Sequence, residues 1–343
     1  MNQKKIIDTR LVISGRVSRE YIITPSGVAK NGVLGGSALY AAAGAKLWMD
    51  GVAILAKVGE NFLTESFSVL NELGVNTSGI VVADHYIEDK SFIGYDSSLS
   101  ISRQNPATFY LQSKQKFPKE LLSISQNKNS DPQQSTSKIE DQIRLSEIPR
   151  EYLLTKAIYL SRTNHEQQMQ ISSYFVQNDT NILTIRLNDV ELDPQNQENL
   201  RQLMNHQTIL FTSTTQLRRL WWSTHLDHWQ LAKNFCDLGC EVVIIESREK
   251  GYLVLEKSTW QKWVIPRYSN EMVDPTGTNA TFDGGATAGY YLTMDPVDAT
   301  LHGEISRSIC GDGTGAKFML ESHPELAISR LRSLRNKIKK FED

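Results

Sequence analysis

Cysteine is scarce in this chain, with only Cys236, Cys240 and Cys310 among 343 residues. That number excludes a disulfide framework and points to a reducing, cytoplasmic setting. An excess of one charge is also missing. Lys and Arg number 37 against 39 Asp and Glu, a net charge of −2, which excludes the strongly basic surface of a general nucleic-acid binder. No apolar run approaches the ~18 residues of a spanning helix. The opening Met1-Asn2-Gln3-Lys4-Lys5 leads into no apolar stretch with a small-residue cleavage site, so no secretory signal is expected. Cys236 with Cys240 and His225 with His228 are pairs that nothing nearby in sequence completes to four ligands, so no metal site is assigned.

Hydrophobic residues make up 40% of the chain and charged residues 22%, enough for a sizeable core. Leu11–Gly15, Val52–Val58, Ala157–Leu160, Asn181–Leu187, Thr208–Thr212 and Glu241–Ile245 read as short buried strands. Between several of them lie segments with helical spacing: Ser37–Trp48 with Ser37 as N-cap, Glu65–Leu73, Gln167–Gln177, Gln195–His206 and Leu226–Leu238. This alternation predicts parallel strands with crossover helices on both faces. Residues 16–34 and 80–118 are less regular and β-rich, including Thr108-Phe109-Tyr110-Leu111, and fit a small lid sheet. Residues 123–142 have almost no apolar side chain and read as a mobile surface insertion, or else a partner-binding segment. Trp221-Trp222 through Trp229 reads as buried anchoring, with a ligand or partner surface as the alternative. From Leu326 to Phe341, Ala327, Leu331, Leu334, Ile338 and Phe341 form one helical stripe rimmed by Arg and Lys. It predicts a docked basic C-terminal helix within 321–343, the one place where nucleic acid, anionic lipid or an acidic partner would find a basic contact.

The most informative stretch runs from Val273 through Asp274-Pro275-Thr276-Gly277-Thr278-Asn279-Ala280-Thr281-Phe282-Asp283 to Gly284-Gly285. It reads as a turn feeding a helix, whose first N–H groups can hold a phosphate or an oxyanion. Asp274, Thr276, Gly277, Thr281, Phe282, Gly284 and Gly285 resemble the second signature of the PfkB, or ribokinase-like, carbohydrate kinases. Gly35-Gly36-Ser37-Ala38, Lys57-Val58-Gly59-Glu60-Asn61 and Gly74-Val75-Asn76-Thr77 are similar to that family's earlier markers. The resemblance implies a three-layer α/β/α sandwich over residues 1–320, with a mainly parallel sheet and a small β lid. It also implies ATP and Mg²⁺ as cofactors and phosphoryl transfer to a sugar or nucleoside hydroxyl. Partners of this type bind a sugar, nucleoside or nucleotide, and some relatives dimerise through the lid.

By that resemblance, Gly277, Thr278 and Asn279 form the anion hole, and Glu20, Gly35 and Gly36 face the substrate. Ser213, Gln216, Glu246, Arg248 and Gly251 lie on the nucleotide side. Four departures bear on chemistry. The family's base Asp is Ala280, and its second turn glycine is Asn279. Its metal-linked Glu is Gln216, and a nucleotide-loop glycine is Arg248. An alanine methyl cannot accept a proton, and general-base catalysis is typically worth about 10²–10⁴-fold. Asp283 is the candidate substitute base, about 4.5 Å further along the helix and about 300° around it; Asp274 reads as a brace for the turn. The resulting expectation is a pseudokinase, a ligand-sensing or scaffold subunit of an assembly. An active sugar or nucleoside kinase using a displaced base such as Asp283 is the alternative, and some other chemistry in the old pocket is a third.

Overall fold

A computed structural model describes residues 8–62, 65–96, 98–122, 139–187, 197–220 and 227–340. Residues 123–138 of the expected insertion, the Trp221–Leu226 segment and Phe341 lie outside these residues. Residues 139–142 are ordered, with a 3-10 turn at Ile139–Asp141 and the Gln142 carbonyl accepting from Lys57 at 3.1 Å.

In chain order the elements are β1 (Leu11–Ser14), β2 (Ser18–Ile23), β3 (Ala29–Gly35), α1 (Ser37–Lys46), β4 (Val52–Val58), α2 (Glu65–Glu72), β5 (Val75–Val82), β6 (Lys90–Tyr95) and β7 (Ile101–Ser102). Then follow α3 (Pro106–Gln112), β8 (Ala157–Leu160), α4 (His165–Val176), β9 (Ile182–Arg186), α5 (Gln197–Met204), β10 (Ile209–Ser213), α6 (Thr214–Leu220), α7 (His228–Asp237) and β11 (Val242–Ser247). The chain continues through β12 (Gly251–Glu256), β13 (Lys262–Ile265), α8 (Thr278–Thr293), α9 (Pro296–Cys310), α10 (Ala316–Leu320), α11 (Pro324–Arg335) and β14 (Lys339–Lys340).

Ten strands make the central sheet, in the order β14-β13-β12-β11-β10-β9-β8-β1-β4-β5. The seven from β11 to β5 run parallel, and β12, β13 and β14 add antiparallel at one edge. Parallel strands need both faces covered, and side chains alternate accordingly. Leu11, Ile13, Ile54, Tyr159, Phe211 and Ile244 enter a core with α1, α8 and α9. Val12, Ala53, Ile158, Leu210 and Val243 enter the opposite core with α4, α5 and α7. The expected α/β/α sandwich is therefore present.

The lid is a four-stranded sheet in the order β3-β2-β6-β7. Tyr21, Ile23 and Phe92 on one face pack with Tyr110 and Leu121. Ile22, Ile93 and Tyr95 lie on the other. Two expectations for 80–118 change. Residues 80–82 complete β5 of the central sheet, and Thr108–Leu111 is helical, in α3. Pro106 stands in the first turn of α3, where its fixed φ suits a helix. The aromatic residues that suggested a strand pack instead across the lid: Phe109 lies 5.6 Å from Phe92 and Tyr110 lies 6.2 Å from it.

The C-terminal helix is shorter than its apolar stripe suggested. It stops at Arg335, and Lys339–Lys340 adds a strand to β13. The open hydrogen-bonding edge of β13 gives this segment backbone partners that one more helical turn would forgo. Part of the basic rim is engaged within the chain. Arg330 pairs with Asp312 at 2.6 Å, and Arg335 pairs with Asp298 at 2.7 Å. Cys236, Cys240 and Cys310 are free and buried, and burial pushes the Cys236 and Cys310 thiols up to about 12. No helix among the described residues is long and apolar enough to cross a membrane.

Candidate active site

Two clusters assemble where the lid meets the body and where the parallel strands end. The first is built around Tyr40 of α1. Its hydroxyl donates to Glu20 Oε2 at 2.9 Å, while Glu20 Oε1 accepts the Gly36 N–H at 3.0 Å. Its ring packs against Gly277, where a Cβ would come within 2.2 Å of the ring. Gly36 has φ +95, and a Cβ there would meet the Arg16 carbonyl at 2.4 Å. Only glycine fits both constraints. Gly36 rather than Ser37 occupies the N-cap of α1. The Ser37 hydroxyl instead accepts the Arg16 N–H and shares a hydrogen bond with Ser161. Glu20, Gly35, Gly36 and Gly277 are thus brought together, with the Glu20 side chain folded back over Gly35.

Glu20 is 5% exposed. Burial outweighs its Tyr40 and Gly36 hydrogen bonds and pushes its carboxyl up to about 6. A raised folded-state value means that the folded protein holds this proton more tightly than the unfolded chain does. The contribution is complete below pH 4.5 and is lost as pH rises through about 6. Glu20→Gln is expected to flatten that part of the pH–stability profile. At pH 7 it should recover on the order of 1–2 kcal/mol, as measured by urea unfolding at pH 4.5 and 7. An unchanged profile would remove Glu20 from the account.

Gly277, at φ +79, is the N-cap of α8, and no side chain caps the helix. Of the expected anion hole, the Thr278 N–H bonds the Pro275 carbonyl at 3.3 Å, and the first-turn N–H groups of Asn279 and Ala280 remain donors for an anion. Asn279 is exposed and Ala280 half-buried. Asp274 braces the turn, accepting the Thr276 N–H at 2.8 Å, and its Oδ2 is buried without a partner. Tyr95 of the lid reaches the same turn, sharing a hydrogen bond with the Thr276 hydroxyl at 3.1 Å.

The second cluster lies deeper. Asp283 has no exposed surface. Its two oxygens take Arg186 Nη2 and Nε at 2.5 Å each, and Tyr159 donates to Oδ2 at 2.7 Å. Both oxygens thus serve a buried ion pair, which weighs against Asp283 as a substitute base. The reason is rotational. From Ala280 to Asp283 the helix turns from the half-open mouth toward the sheet, where Arg186 closes β9.

Among the residues expected on the nucleotide side, the Gln216 N–H bonds the Ser213 hydroxyl at 3.2 Å. The Gln216 amide group lies against Thr212 at 3.4 Å and the Leu187 carbonyl at 3.5 Å. Glu246 binds Arg267 at 2.7 Å. Burial raises its carboxyl, but Arg267 and Arg186 outweigh that and hold it below the usual range. Ser247 pairs with Gly251 to close the β11–β12 hairpin. Arg248 is exposed in the hairpin turn, apart from the buried clusters.

Sequence reasoning missed Tyr40, Tyr95, Tyr159, Arg186 and Arg267. Only Arg186 left a signal: a charge closing the apolar run Ile182-Leu183-Thr184-Ile185 at its carboxyl end, where ligands of parallel sheets bind. Elsewhere, His85, Glu140 and Asp141 bring ligand-type atoms within 4.8 Å of one another. Ion pairing accounts for that group, since His85 bonds Asp141 at 2.9 Å and Asp84 at 3.2 Å.

The strand order, the lid over the carboxyl edge and the uncapped α8 turn define the ribokinase-like fold of sugar and nucleoside kinases. Comparison of structures supports this assignment. A nucleoside kinase of Methanocaldococcus jannaschii, an archaeal member of the ribokinase family, matches 95% of this chain and 99% of its own at TM-score 0.66 and 17% identity. Aminoimidazole riboside kinase from Salmonella enterica, solved with aminoimidazole riboside and an ATP analog, matches 94% and 100% at 0.67 and 14%. The Arabidopsis thaliana ribokinase complexed with ribose and ATP matches 95% and 99% at 0.66 and 15%. Among characterised sequences, the cytidine kinase of Thermococcus kodakarensis is 25% identical over 288 residues, covering 82% of this chain and 88% of its own. No family model matches the chain.

Proposed function

We propose that this chain is a ribokinase-fold protein that holds a nucleoside- or sugar-type ligand between lid and body and lacks efficient phosphoryl transfer. In this reading it serves as a ligand-sensing or scaffold subunit of an assembly. One observation carries the proposal. In the first turn of α8 the proton-accepting position is Ala280, and the next carboxylate on the helix, Asp283, is fully buried against Arg186 and Tyr159. Loss of a general base typically costs about 10²–10⁴-fold in rate, so the anion turn could still bind phosphate without efficient transfer.

Fit to the cofactors is divided. The uncapped α8 turn suits the phosphates of ATP. The residues of the nucleotide side do not suit Mg²⁺: the Gln216 amide replaces a carboxylate, and Glu246 already holds Arg267.

The similarity to a cytidine kinase favours the competing reading, an active kinase. The two separate in one assay with ATP, Mg²⁺ and either cytidine or ribose. ADP formation is expected at background, and a Tm rise with cytidine or ATP would report retained binding. Restoring Asn279→Gly with Ala280→Asp is expected to give weak rescue or none, because Gln216 remains. Cytidine-dependent ADP release by the unaltered chain would overturn the proposal.

A further inference from the structure

Arg186 is 4% exposed. Its Nε and Nη2 hold Asp283, leaving Nη1 buried without a partner. An unsatisfied buried donor on a charged group is costly, so its persistence at a ligand-binding edge calls for an explanation.

Register locates it. Thr184 of β9 bonds Thr287 of α8 at 2.7 Å, and two residues up the strand Arg186 meets Asp283, four residues back toward the helix start. Strand and helix climb together, since two strand residues and four helix residues each rise about 6 Å. One further step reaches the uncapped first turn of α8. The Arg186 guanidinium also lies 5.9 Å from the Phe211 ring of β10, on the side facing β11, and Glu246 at the end of β11 acts on it electrostatically. Beyond Glu246, Arg267 repeats the pattern: its Nη2 binds Glu246 at 2.7 Å, and its Nη1 is buried without a partner.

Charge is distributed to match. Asp283 and Glu246 each neutralise one arginine, and Arg162, past the end of β8, adds a cation felt by Asp283 and Tyr159. The edge thus offers spare donors and surplus positive charge, with the Gln216 amide where a metal would need a carboxylate.

We propose that Arg186, at the carboxyl end of β9, and Arg267, just past β13 and paired with Glu246 of β11, bind the phosphates of a nucleoside di- or triphosphate without a divalent cation. The fixed guanidinium groups occupy the electrostatic place of a metal ion. A chain that proved to turn over cytidine would overturn the function proposed above, and this assignment would still be decided by binding alone.

Calorimetric titration of the full-length protein with ATP and with inorganic tripolyphosphate, in EDTA and in Mg²⁺, provides the test. Both are expected to bind in EDTA, and Mg²⁺ is expected to tighten neither more than threefold. Arg186→Lys keeps a charge opposite Asp283 but lacks the second amino group, and should weaken both at least about tenfold. Arg186→Met with Asp283→Leu removes the buried pair as a unit and should show the same loss even if the lysine variant folds poorly. The proposal is overturned by no binding in EDTA, by a larger gain with Mg²⁺, or by binding of ATP but not tripolyphosphate. Unaltered affinity in the folded variants would overturn it equally.

Discussion

Asp283→Ala is expected to destabilise the protein by about 3–5 kcal/mol, the usual cost of stripping a buried charge of its partner. The magnitude follows from what remains behind. Arg186 would keep its charge at 4% exposure with no carboxylate on Nε or Nη2, and the Tyr159 hydroxyl would lose its acceptor. Water on the Nε–Nη2 side cannot readily compensate, because Asp283 and Tyr159, which occupy that side, are themselves fully enclosed. Removing both charges is a different experiment. Arg186→Met with Asp283→Leu leaves no orphaned ion, and the loss should shrink to about 1–2 kcal/mol, since apolar replacements of buried pairs are often close to neutral. Equilibrium urea unfolding of the two variants measures the contrast. A loss below about 1 kcal/mol in Asp283→Ala would mean that the pair is not formed in solution, and would reopen Asp283 as a proton acceptor.

Gly284→Ala should be comparably severe for a reason unrelated to charge. A Cβ at position 284 would stand 1.9 Å from the Ala41 carbonyl oxygen, and one at Gly44 would stand 2.1 Å from the Thr281 carbonyl oxygen. Helices α1 and α8 therefore touch backbone to backbone, with no flexible side chain to move aside. Overpacking usually costs about 1–3 kcal/mol. Because relief here requires the helices to separate, about 3 kcal/mol or more is expected. The same two helices carry Tyr40 and the Gly277 turn that rests on it, so phosphate binding should fall together with stability. Thermal unfolding and tripolyphosphate titration of Gly284→Ala test both parts. At this chain length about 3 kcal/mol corresponds to a Tm shift of roughly 4 °C, so a Tm within about 1 °C of the unaltered chain would contradict the close approach.

Much of the architecture was legible because its signals are local. Ile182–Arg186 and Val242–Ser247 are apolar runs long enough for strands and too short for helices. Their alternation with segments such as His228–Asp237, started by Asp227 in a capping box, leaves few topologies besides a parallel sheet. The elements misjudged were those where a distant partner outweighed local preference. Thr108–Leu111 has β-forming side chains yet lies in a helix that covers the lid. Ile338 lies on a helical stripe yet precedes a strand that completes β13.

The candidate site divides the same way. Glycines at positions 36 and 277, and an alanine at 280, are properties of the sequence itself, because backbone freedom and the lack of a titratable group do not depend on context. The surroundings of Asp283 are not. The residue that engages it, Arg186, lies 97 positions away, and only packing of α8 against β9 brings the two within hydrogen-bonding distance. In a region of low polarisability a carboxylate is stable only while its counter-ion and donors stay in place, and it is the tertiary contact that commits both Asp283 oxygens to Arg186.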